Sequence, residues 1–441
     1  MSITRTLFKM YMLFACVSTS ILPCKSQPSD IETPGLIHDL NDAITKTITP
    51  DGINPPLASR YYLYPNIVFH EVYCLASGRQ RTYEQALLRH LWLPEVADSI
   101  SAEYTAFYAF VRVAESIVYR PELLKKLTEN QRVETSKGLS KEIIEASEKY
   151  VESILDSTLK WIAEDGFDDI RALPDYSPID EAWAWEPTPP NYMDALEPNW
   201  PNMKSIIGMD TTSLIQPPAL KFDTLPGTDF YKAAEDVYNI VNTITSKQIE
   251  IAKHWDCNPL QTHANGHFMY ASRQMTPGGH WMGIAGIAAT KSKFDLFETS
   301  KVYTNVSMVL YEGFIVSWKT KFRYELIRPE TYINRYINPN WRPILETPPF
   351  PEYTSAHSVI SMGAAMILTA HFGDSFEFKD TMEVQYRLPV RDFSSFISAA
   401  KEVSESRVYG GIHYRFGVND GMSQGAQIAN QIIGSLRIKE H

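Results

Sequence analysis

The strongest constraint on the fold is a helical periodicity that runs through most of the chain. The pattern is strongly helical from Thr82 to Leu159, and Ser136–Leu159 places charged side chains three and four residues apart. Further helices are predicted over Leu296–Arg328, Ala356–Phe372, Phe393–Tyr409 and Gly421–Leu436. No stretch has a convincing strand pattern, so we predict an all-α fold of two packed helical bundles.

A change of composition divides the chain. Asp165–Pro226 is rich in Pro, Asp and Trp, which is typical of an ordered linker. We therefore predict an N-terminal helical region over residues 28–180 and a catalytic helical-bundle domain over 181–441. Residues 1–27 are predicted to be a signal peptide or a lipoprotein signal, because Arg5 and Lys9 precede a short apolar stretch. This predicts an exported protein, either periplasmic or secreted, with a membrane lipoprotein as the alternative.

Composition excludes several classes of protein. The net charge of -11 is spread along the 441 residues without a basic stripe, so nucleic acid is not an expected partner. No apolar run in the mature chain reaches the ~18–20 residues that span a bilayer. Cys74 and Cys257 remain after residue 27, either as one disulfide or as two unrelated buried thiols. We expect a monomer or a small homo-oligomer.

Three separated stretches towards the C-terminus carry residues suited to binding one compact oxyanion. In chain order they supply Lys321 and Arg328, then Ser355, Ala356 and His357, then Arg407 and His413. The three cations can neutralise an oxyanion, while a serine hydroxyl and a backbone N–H can donate hydrogen bonds to its oxygens. The two histidines add an in-line nitrogen and a group that can move protons.

The spacing of these residues supports their convergence. Lys321 and Arg328 are seven residues apart, which predicts that both project from one helix face before the next proline ends the helix. Ser355 opens an apolar run, so it is predicted at a helix N-terminus, where an anion is favoured. Two glycines lie between Arg407 and His413, and a turn there would bring the two side chains together.

In combination, Lys-x6-Arg-Pro, Ser-x-His and Ser-Arg-x5-His resemble the active-site signature of type 2 phosphatidic acid phosphatases and vanadium-dependent haloperoxidases. Two stretches favour the haloperoxidase branch. Ser317–Lys321 resembles that family's Ser-Trp-Lys-x-Lys, and Pro348–Ser355 resembles its Pro-Pro-Phe-Pro-x-Tyr-x-Ser. The interval from Arg328 to His357 is similar to that of bacterial vanadium iodoperoxidases.

The resemblance implies a vanadate cofactor, with hydrogen peroxide and a halide as substrates and an organic acceptor as a further partner. Iodide is the implied halide, with bromide as a second one. His413 would bond to vanadium, and the vanadate oxygens would be bound by Lys321, Arg328, Ser355, the Ala356 N–H and Arg407. Lys321 would also polarise peroxide.

The resemblance implies roles for four further side chains. His357 would act as general acid and base. Trp318 and Phe350 would line a halide pocket, with core packing as the alternative. Asp256 resembles an acidic residue that pairs with the arginine of the third stretch, and a surface aspartate near a helix end is its alternative.

Two positions depart from the family pattern. Ala356 replaces the glycine of Ser-Gly-His, and Gly417 stands where many relatives carry an aspartate that would orient His413. The partner of His413 is therefore unidentified from sequence. Two other functions stay open: an exported acid phosphatase in which His413 attacks phosphorus, and an oxyanion-binding protein without catalysis. A zinc site at His263 and His267 would require a helix, which Asn265-Gly266 disfavours.

Overall fold

The computed structural model describes residues 34–96, 99–259, 262–265, 268–271 and 273–438, so the predicted signal of residues 1–27 lies outside it. The helices are α1 (Pro34–Ile48), α2 (Pro55–Ala76), α3 (Ala102–Ile117), α4 (Pro121–Ser136), α5 (Lys141–Ala163), α6 (Phe167–Arg171), α7 (Asp229–Asn242), α8 (Ser246–His254), α9 (Pro277–Ser292), α10 (Leu296–Tyr324), α11 (Pro329–Tyr336), α12 (Ala356–Phe372), α13 (Phe396–Tyr409) and α14 (Arg415–Leu436). Short 3-10 helices cover Trp200–Asn202 and Met382–Tyr386.

The all-α class is confirmed, and the helices group as two packed bundles. In the first, α3 packs against α2, α4 and α5; in the second, α12 packs against α10, α13 and α14. Helices α2 and α10 join the two, and buried aromatic residues such as Phe69 and Phe314 belong to one shared core. The boundary near residue 180 stays a prediction.

A close approach of two helices fixes the second bundle. A Cβ on Gly425 of α14 would lie 2.1 Å from the carbonyl oxygen of Val359 in α12, so no larger residue fits there without a backbone shift. Helix α12 is preceded by the N-cap residue Ser355, whose hydroxyl accepts a hydrogen bond from the Ser358 N–H, and it is stopped by the C-cap residue Gly373, as predicted. These contacts place the N-terminus of α12 at the candidate site.

The helix predicted over Leu296–Arg328 was too long. Helix α10 ends at Tyr324, because Glu325 adopts a left-handed conformation and Leu326 pairs with Ala184 in a β-bridge. Arg328 precedes a proline, which favours extended backbone, and it becomes the N-cap of α11. Lys321 and Arg328 therefore do not share a helix face.

Other boundaries also differ from the prediction. The segment from Thr82 to Ser101 contains no helix in its described residues, and α13 begins at Phe396 instead of Phe393. Two antiparallel hairpins form from four short strands, β1 (Thr262–Asn265), β2 (Phe268–Ala271), β3 (Phe378–Asp380) and β4 (Arg391–Phe393). His263 lies in β1, so the helical spacing needed for the zinc pair is not present, and His267 lies outside the described residues.

Two further expectations concern the cysteines and the membrane. Cys74 and Cys257 are both buried and free, which matches the alternative of two separate thiols. Among the helices of the described residues, none is long and apolar enough to cross a bilayer.

Candidate active site

The three sequence stretches converge on one buried pocket around His413. The guanidinium Nη1 of Arg328 donates a hydrogen bond to the His413 Nε2 at 3.1 Å, and Arg407 Nη1 lies 3.5 Å from the Nε2 of His357. The charges of Arg328, Lys321 and Arg407 all act on the His413 ring. The convergence predicted from spacing is therefore present, although two of the cations reach the pocket from different elements.

Lys321 lies on the last turn of α10 and is fully buried. Its ammonium donates to three backbone carbonyl oxygens, those of Pro351 at 2.8 Å, Glu352 at 3.0 Å and Thr354 at 2.6 Å. An ammonium has three N–H donors, so all of them are directed at the loop before α12. Lys321 thus anchors this loop and contributes to the pocket mainly through its charge. Burial and the nearby Arg328 lower its pKa well below the ordinary value.

Arg328 crosses from the start of α11 to the third stretch. Its Nε donates to the carbonyl oxygen of Phe350, and its Nη1 donates to that of Ile412 as well as to His413. Its Nη2 is buried and has no hydrogen-bond partner among the described residues. A buried guanidinium donor without a partner is costly, so this atom is available to donate to an anion.

The N-terminus of α12 supplies neutral donors. Ser355 is the N-cap residue, its own N–H donates to the carbonyl oxygen of Gly417, and its hydroxyl lies 3.0 Å from that of Ser358. Ala356 is the first residue of the helix, where backbone N–H groups have no acceptor within the helix itself. The Ala356 side chain is buried, so its methyl group fits the packing of this structure.

Arg407 is held by the segment that follows α8. Its Nη2 donates to the carbonyl oxygen of Trp255, and its Nε donates to Ser406 Oγ at 3.1 Å. Burial lowers the pKa of the Arg407 guanidinium, and the nearby negative charge of Asp256 opposes that shift. In return Arg407 restrains the pKa of Asp256, which burial raises to about 6. The direct hydrogen bond, however, goes to the Trp255 carbonyl.

His413 is oriented by a carboxylate that the sequence did not reveal. Its Nδ1 lies 2.8 Å from Oε1 of Glu352, and that oxygen also accepts the Tyr414 N–H at 3.1 Å. Since Oε1 acts as an acceptor, Nδ1 carries the proton and Nε2 carries the lone pair that faces Arg328. Burial raises the pKa of Glu352 to about 7, against the opposing effects of Lys321 and Arg328.

Gly417 explains why this carboxylate comes from Glu352. A Cβ at position 417 would lie 2.4 Å from Oε1 of Glu352 and 2.8 Å from Oε2, so the glycine leaves the space that the carboxylate fills. The position that lacks the expected aspartate is thus occupied from the opposite side. The signal in the sequence was an acidic residue at the variable position of Pro348–Ser355.

Both histidines are held neutral. Burial and the surrounding cations lower the pKa of His357 and of His413 well below 6.5. His413 is buried, whereas His357 is partly exposed. A hydrogen bond to the backbone of Asp256 fixes the His357 ring. The arrangement offers a buried nitrogen on His413 that can coordinate and a nitrogen on the partly exposed His357 that can accept a proton.

Phe350 lies against both cations of the first stretch. The centre of its ring is 5.0 Å from Lys321 Nζ and 5.0 Å from the guanidinium carbon of Arg328. Trp318 is fully buried behind it, with ring centres 5.0 Å apart, and the indole N–H donates to the Leu196 carbonyl oxygen. Phe350 is therefore the aromatic residue nearer to the cations, and Trp318 supports it from the core.

A family model described as the VCPO second helical-bundle domain matches residues 301–438. A search of curated proteins found no match. The fold is similar to a crystal structure described as the first bacterial vanadium-dependent iodoperoxidase, with 35% sequence identity and a TM-score of 0.85 over 93% of this chain and 98% of that chain.

Two structures of a bacterial vanadium-dependent chloroperoxidase share the fold at lower identity. The holo form has 13% identity and a TM-score of 0.63 over 88% of this chain and 93% of its own. The apo form has 14% identity and a TM-score of 0.65 over 87% of this chain and 95% of its own.

Proposed function

Because the chain belongs to the vanadium-dependent haloperoxidase family, we propose that it uses vanadate and hydrogen peroxide to oxidise iodide to hypoiodous acid, with bromide as a second substrate. The observation that carries the proposal is the neutral, carboxylate-oriented His413, whose Nε2 faces a pocket of buried cations. The iodide preference is proposed from the similarity to a structure described as an iodoperoxidase.

The donor set of this chain fits vanadate. Three buried cations balance an anion, and the unpartnered Nη2 of Arg328 is a donor that an oxyanion would satisfy. A vanadium ligand must be an unprotonated nitrogen, and the lowered pKa of His413 keeps Nε2 in that form. Bound vanadate would supply a Lewis acid that makes peroxide reactive towards a halide without changing its own oxidation state.

Each residue of the pocket receives a role in this proposal. Nε2 of His413 would hold the vanadium, while the vanadate oxygens would be bound by Arg328, Arg407, the Ser355 hydroxyl and the Ala356 N–H. Lys321, whose donors are occupied by the loop, lowers the energy of negative charge in the pocket and so polarises peroxide. Burial of these groups excludes bulk water and strengthens their electrostatic effect.

His357 is proposed as the group that moves protons. Its Nε2 takes a proton as hydrogen peroxide enters and returns it when the products form, and one further proton from solvent completes the balance H2O2 + I⁻ + H⁺ → HOI + H2O. The partial exposure of the ring supports this role, because the proton can exchange with solvent at the mouth. Nearby Arg407 favours the neutral ring, so the proton is readily given back.

The halide is proposed to approach beside Phe350. Lys321 and Arg328 each lie 5.0 Å from the centre of this ring. The positive field of these two cations and the partly positive edge of the ring would attract an anion. Trp318 would shape this pocket from behind through its contact with Phe350.

Further expectations accompany this proposal. We propose that the protein is exported, that residues 28–180 and 181–441 act as an N-terminal helical region and a catalytic domain, and that the protein is a monomer or a small homo-oligomer. An organic molecule that accepts the oxidised halogen is a further proposed partner.

The decisive experiment compares halide oxidation with phosphate ester hydrolysis. Protein loaded with orthovanadate is assayed with hydrogen peroxide and iodide, then bromide, and vanadate-free protein is assayed with an aryl phosphate. Iodide turnover that requires both vanadate and peroxide, and that is lost together with vanadate binding in His413→Ala, supports the proposal. Phosphate release without halide turnover would replace it with the acid phosphatase, and neither activity would favour the non-catalytic protein.

A further inference from the structure

A second cluster of ligand-type side chains lies outside the oxyanion pocket. Sγ of Cys257 is 3.4 Å from Nδ1 of His280 and 3.7 Å from Oε1 of Glu383, and the nitrogen and the oxygen are 3.2 Å apart. All three residues are buried. A thiol, an imidazole and a carboxyl group thus meet at one point, although they come from the segment after α8, from α9 and from the 3-10 helix Met382–Tyr386.

From this arrangement we propose that Cys257, His280 and Glu383 bind a divalent transition metal, zinc by its chemistry, next to the active site, with a water molecule in the fourth position. Zinc in tetrahedral coordination has bonds of about 2.3 Å to sulfur and about 2.0–2.1 Å to nitrogen and oxygen. Those lengths require ligand atoms about 3.5 Å apart for sulfur with nitrogen or oxygen, and about 3.3 Å apart for nitrogen with oxygen. The three observed distances agree with these values within the ~0.2 Å expected of a metal site.

The charges of the ligands also suit a dication. A thiolate and a carboxylate together carry two negative charges, which would neutralise Zn²⁺ in a buried environment with the neutral imidazole as third ligand. Oε2 of Glu383 is buried and has no hydrogen-bond partner among the described residues, so a metal bound on this side would satisfy a carboxylate that is otherwise poorly solvated.

An outer shell orients the imidazole towards the site. Nε2 of His280 lies 2.7 Å from Oδ2 of Asp380, so Nδ1 is left for the metal. Asp380 is fixed in turn by His254 at 3.1 Å and by the N–H of Met382 at 3.0 Å. The Trp255 ring stacks on His280 with centres 4.6 Å apart. A carboxylate behind a ligand histidine is the usual support of a zinc ligand.

His254, His280 and Asp380 form a less suitable set. Both imidazoles point at the single oxygen Oδ2 of Asp380, which makes a hydrogen-bonded arrangement with the carboxylate at its centre. The set that contains Cys257 instead has its three ligand atoms at the corners of a triangle with sides of 3.2, 3.4 and 3.7 Å. We therefore assign Asp380 to the outer shell.

The site would stabilise one wall of the active-site pocket. Cys257 directly follows Trp255 and Asp256, whose backbone groups bind Arg407 and His357. The Cys257 backbone is itself left-handed, with a φ of 44°, a conformation that a non-glycine residue adopts only when its surroundings hold it. A metal bound to the Cys257 side chain would hold this segment in the conformation that positions Arg407.

Metal analysis tests the proposal independently of halide oxidation. Tag-free protein is treated with a chelator, dialysed against ZnSO4 and washed, and zinc and vanadium are then measured in the same sample. We expect about one zinc per chain in the wild type and in Cys74→Ser, a matched change at the other buried free thiol. The zinc content of Cys257→Ser and of the shape-conserving Glu383→Gln should each be at least tenfold lower than that of the wild type. Vanadium content is measured in the same samples.

Cobalt provides a second readout that does not depend on a variant that folds. Co²⁺ added to chelator-treated wild-type protein should give a sulfur-to-metal charge-transfer band in the near ultraviolet, with saturation at about one equivalent. Failure of wild-type protein to retain zinc, or a cobalt spectrum without a thiolate band, would overturn the proposal and leave a hydrogen-bonded cluster. Neither result depends on vanadate or peroxide, so the haloperoxidase proposal succeeds or fails separately.

Discussion

The hydrogen bond from His413 to Glu352 makes the sharpest prediction about vanadate binding. In Glu352→Gln the amide oxygen can still accept from the His413 Nδ1–H and from the Tyr414 N–H, so the ring keeps its tautomer. Above the Glu352 pKa of about 7, the substitution removes the negative charge behind the ring, and with it the increase in basicity at Nε2. Only the electronic support of the proposed vanadium ligand is therefore removed.

The expected loss follows from the short contact. The 2.8 Å separation is that of a charge-assisted hydrogen bond, which is about twice as strong as a neutral one. Loss of a partner behind a metal-ligating histidine typically weakens metal binding about 10–100-fold. We therefore expect the Kd for orthovanadate to rise by about 10–100-fold, which corresponds to ~1.4–2.7 kcal/mol.

The assay is equilibrium titration of vanadate-free protein with orthovanadate, followed by calorimetry or by ⁵¹V NMR. Glu312→Gln is the matched control. Like Glu352, Glu312 is a buried carboxylate, but it lies on α10 and accepts its hydrogen bonds from the Ser205 hydroxyl and the Ile206 N–H instead of from His413. Thermal unfolding of both variants measures any loss of stability. A wild-type Kd in Glu352→Gln, with Glu312→Gln also unchanged, would refute the claim that Glu352 tunes His413.

Three other predictions follow from the same pocket. Gly417→Ala should displace the Glu352 carboxylate, which lowers the free energy of unfolding by ~1–3 kcal/mol in chemical denaturation and weakens vanadate binding at least tenfold. Loss of stability without an effect on vanadate binding would contradict the role of Glu352. Lys321→Met should destabilise even vanadate-free protein by ~3–5 kcal/mol, because three buried carbonyl oxygens lose their donor, and an unchanged Tm would be evidence against the anchoring role. Burial and the nearby cations hold the pKa of His357 below its ordinary value, so the ring stays neutral as the pH falls through 6.5. The NMR signals of the ring should therefore not shift between about pH 6 and 8. A titration midpoint near pH 6.5 would show that burial and the cations do not lower this pKa.

The parts of the site predicted correctly depend on neighbouring residues. Ser355 precedes an apolar helical run, so its place at the helix start can be inferred locally. The turn at Gly410 and Gly411 joins Arg407 to His413 within a few residues, and Gly411 has a positive φ of 78°, as such a turn allows.

The parts that were missed depend on contacts between distant residues. Helix α10 ends before Arg328 because Leu326 pairs with Ala184, and no local pattern announces that bridge. Glu352 reaches His413 across 61 residues of sequence, through space left by Gly417. Cys257 and Glu383 are 126 residues apart, so no local spacing marks them as a pair, unlike His263 and His267, which are four residues apart. Periodicity predicts elements, whereas these contacts arise only when the elements pack.

The interlocking of Glu352 and Gly417 has a consequence for how such a pocket can change during evolution. An aspartate at position 417, as in the resembling family pattern, would compete with Glu352 for one small volume. A chain that acquires the aspartate first must accommodate two crowded carboxylates, and a chain that loses Glu352 first leaves His413 without its acceptor. Either single step passes through a less fit intermediate, so the two arrangements are separated by a barrier in sequence space. Lineages that carry one arrangement should therefore retain it, and the pair should change together or not at all.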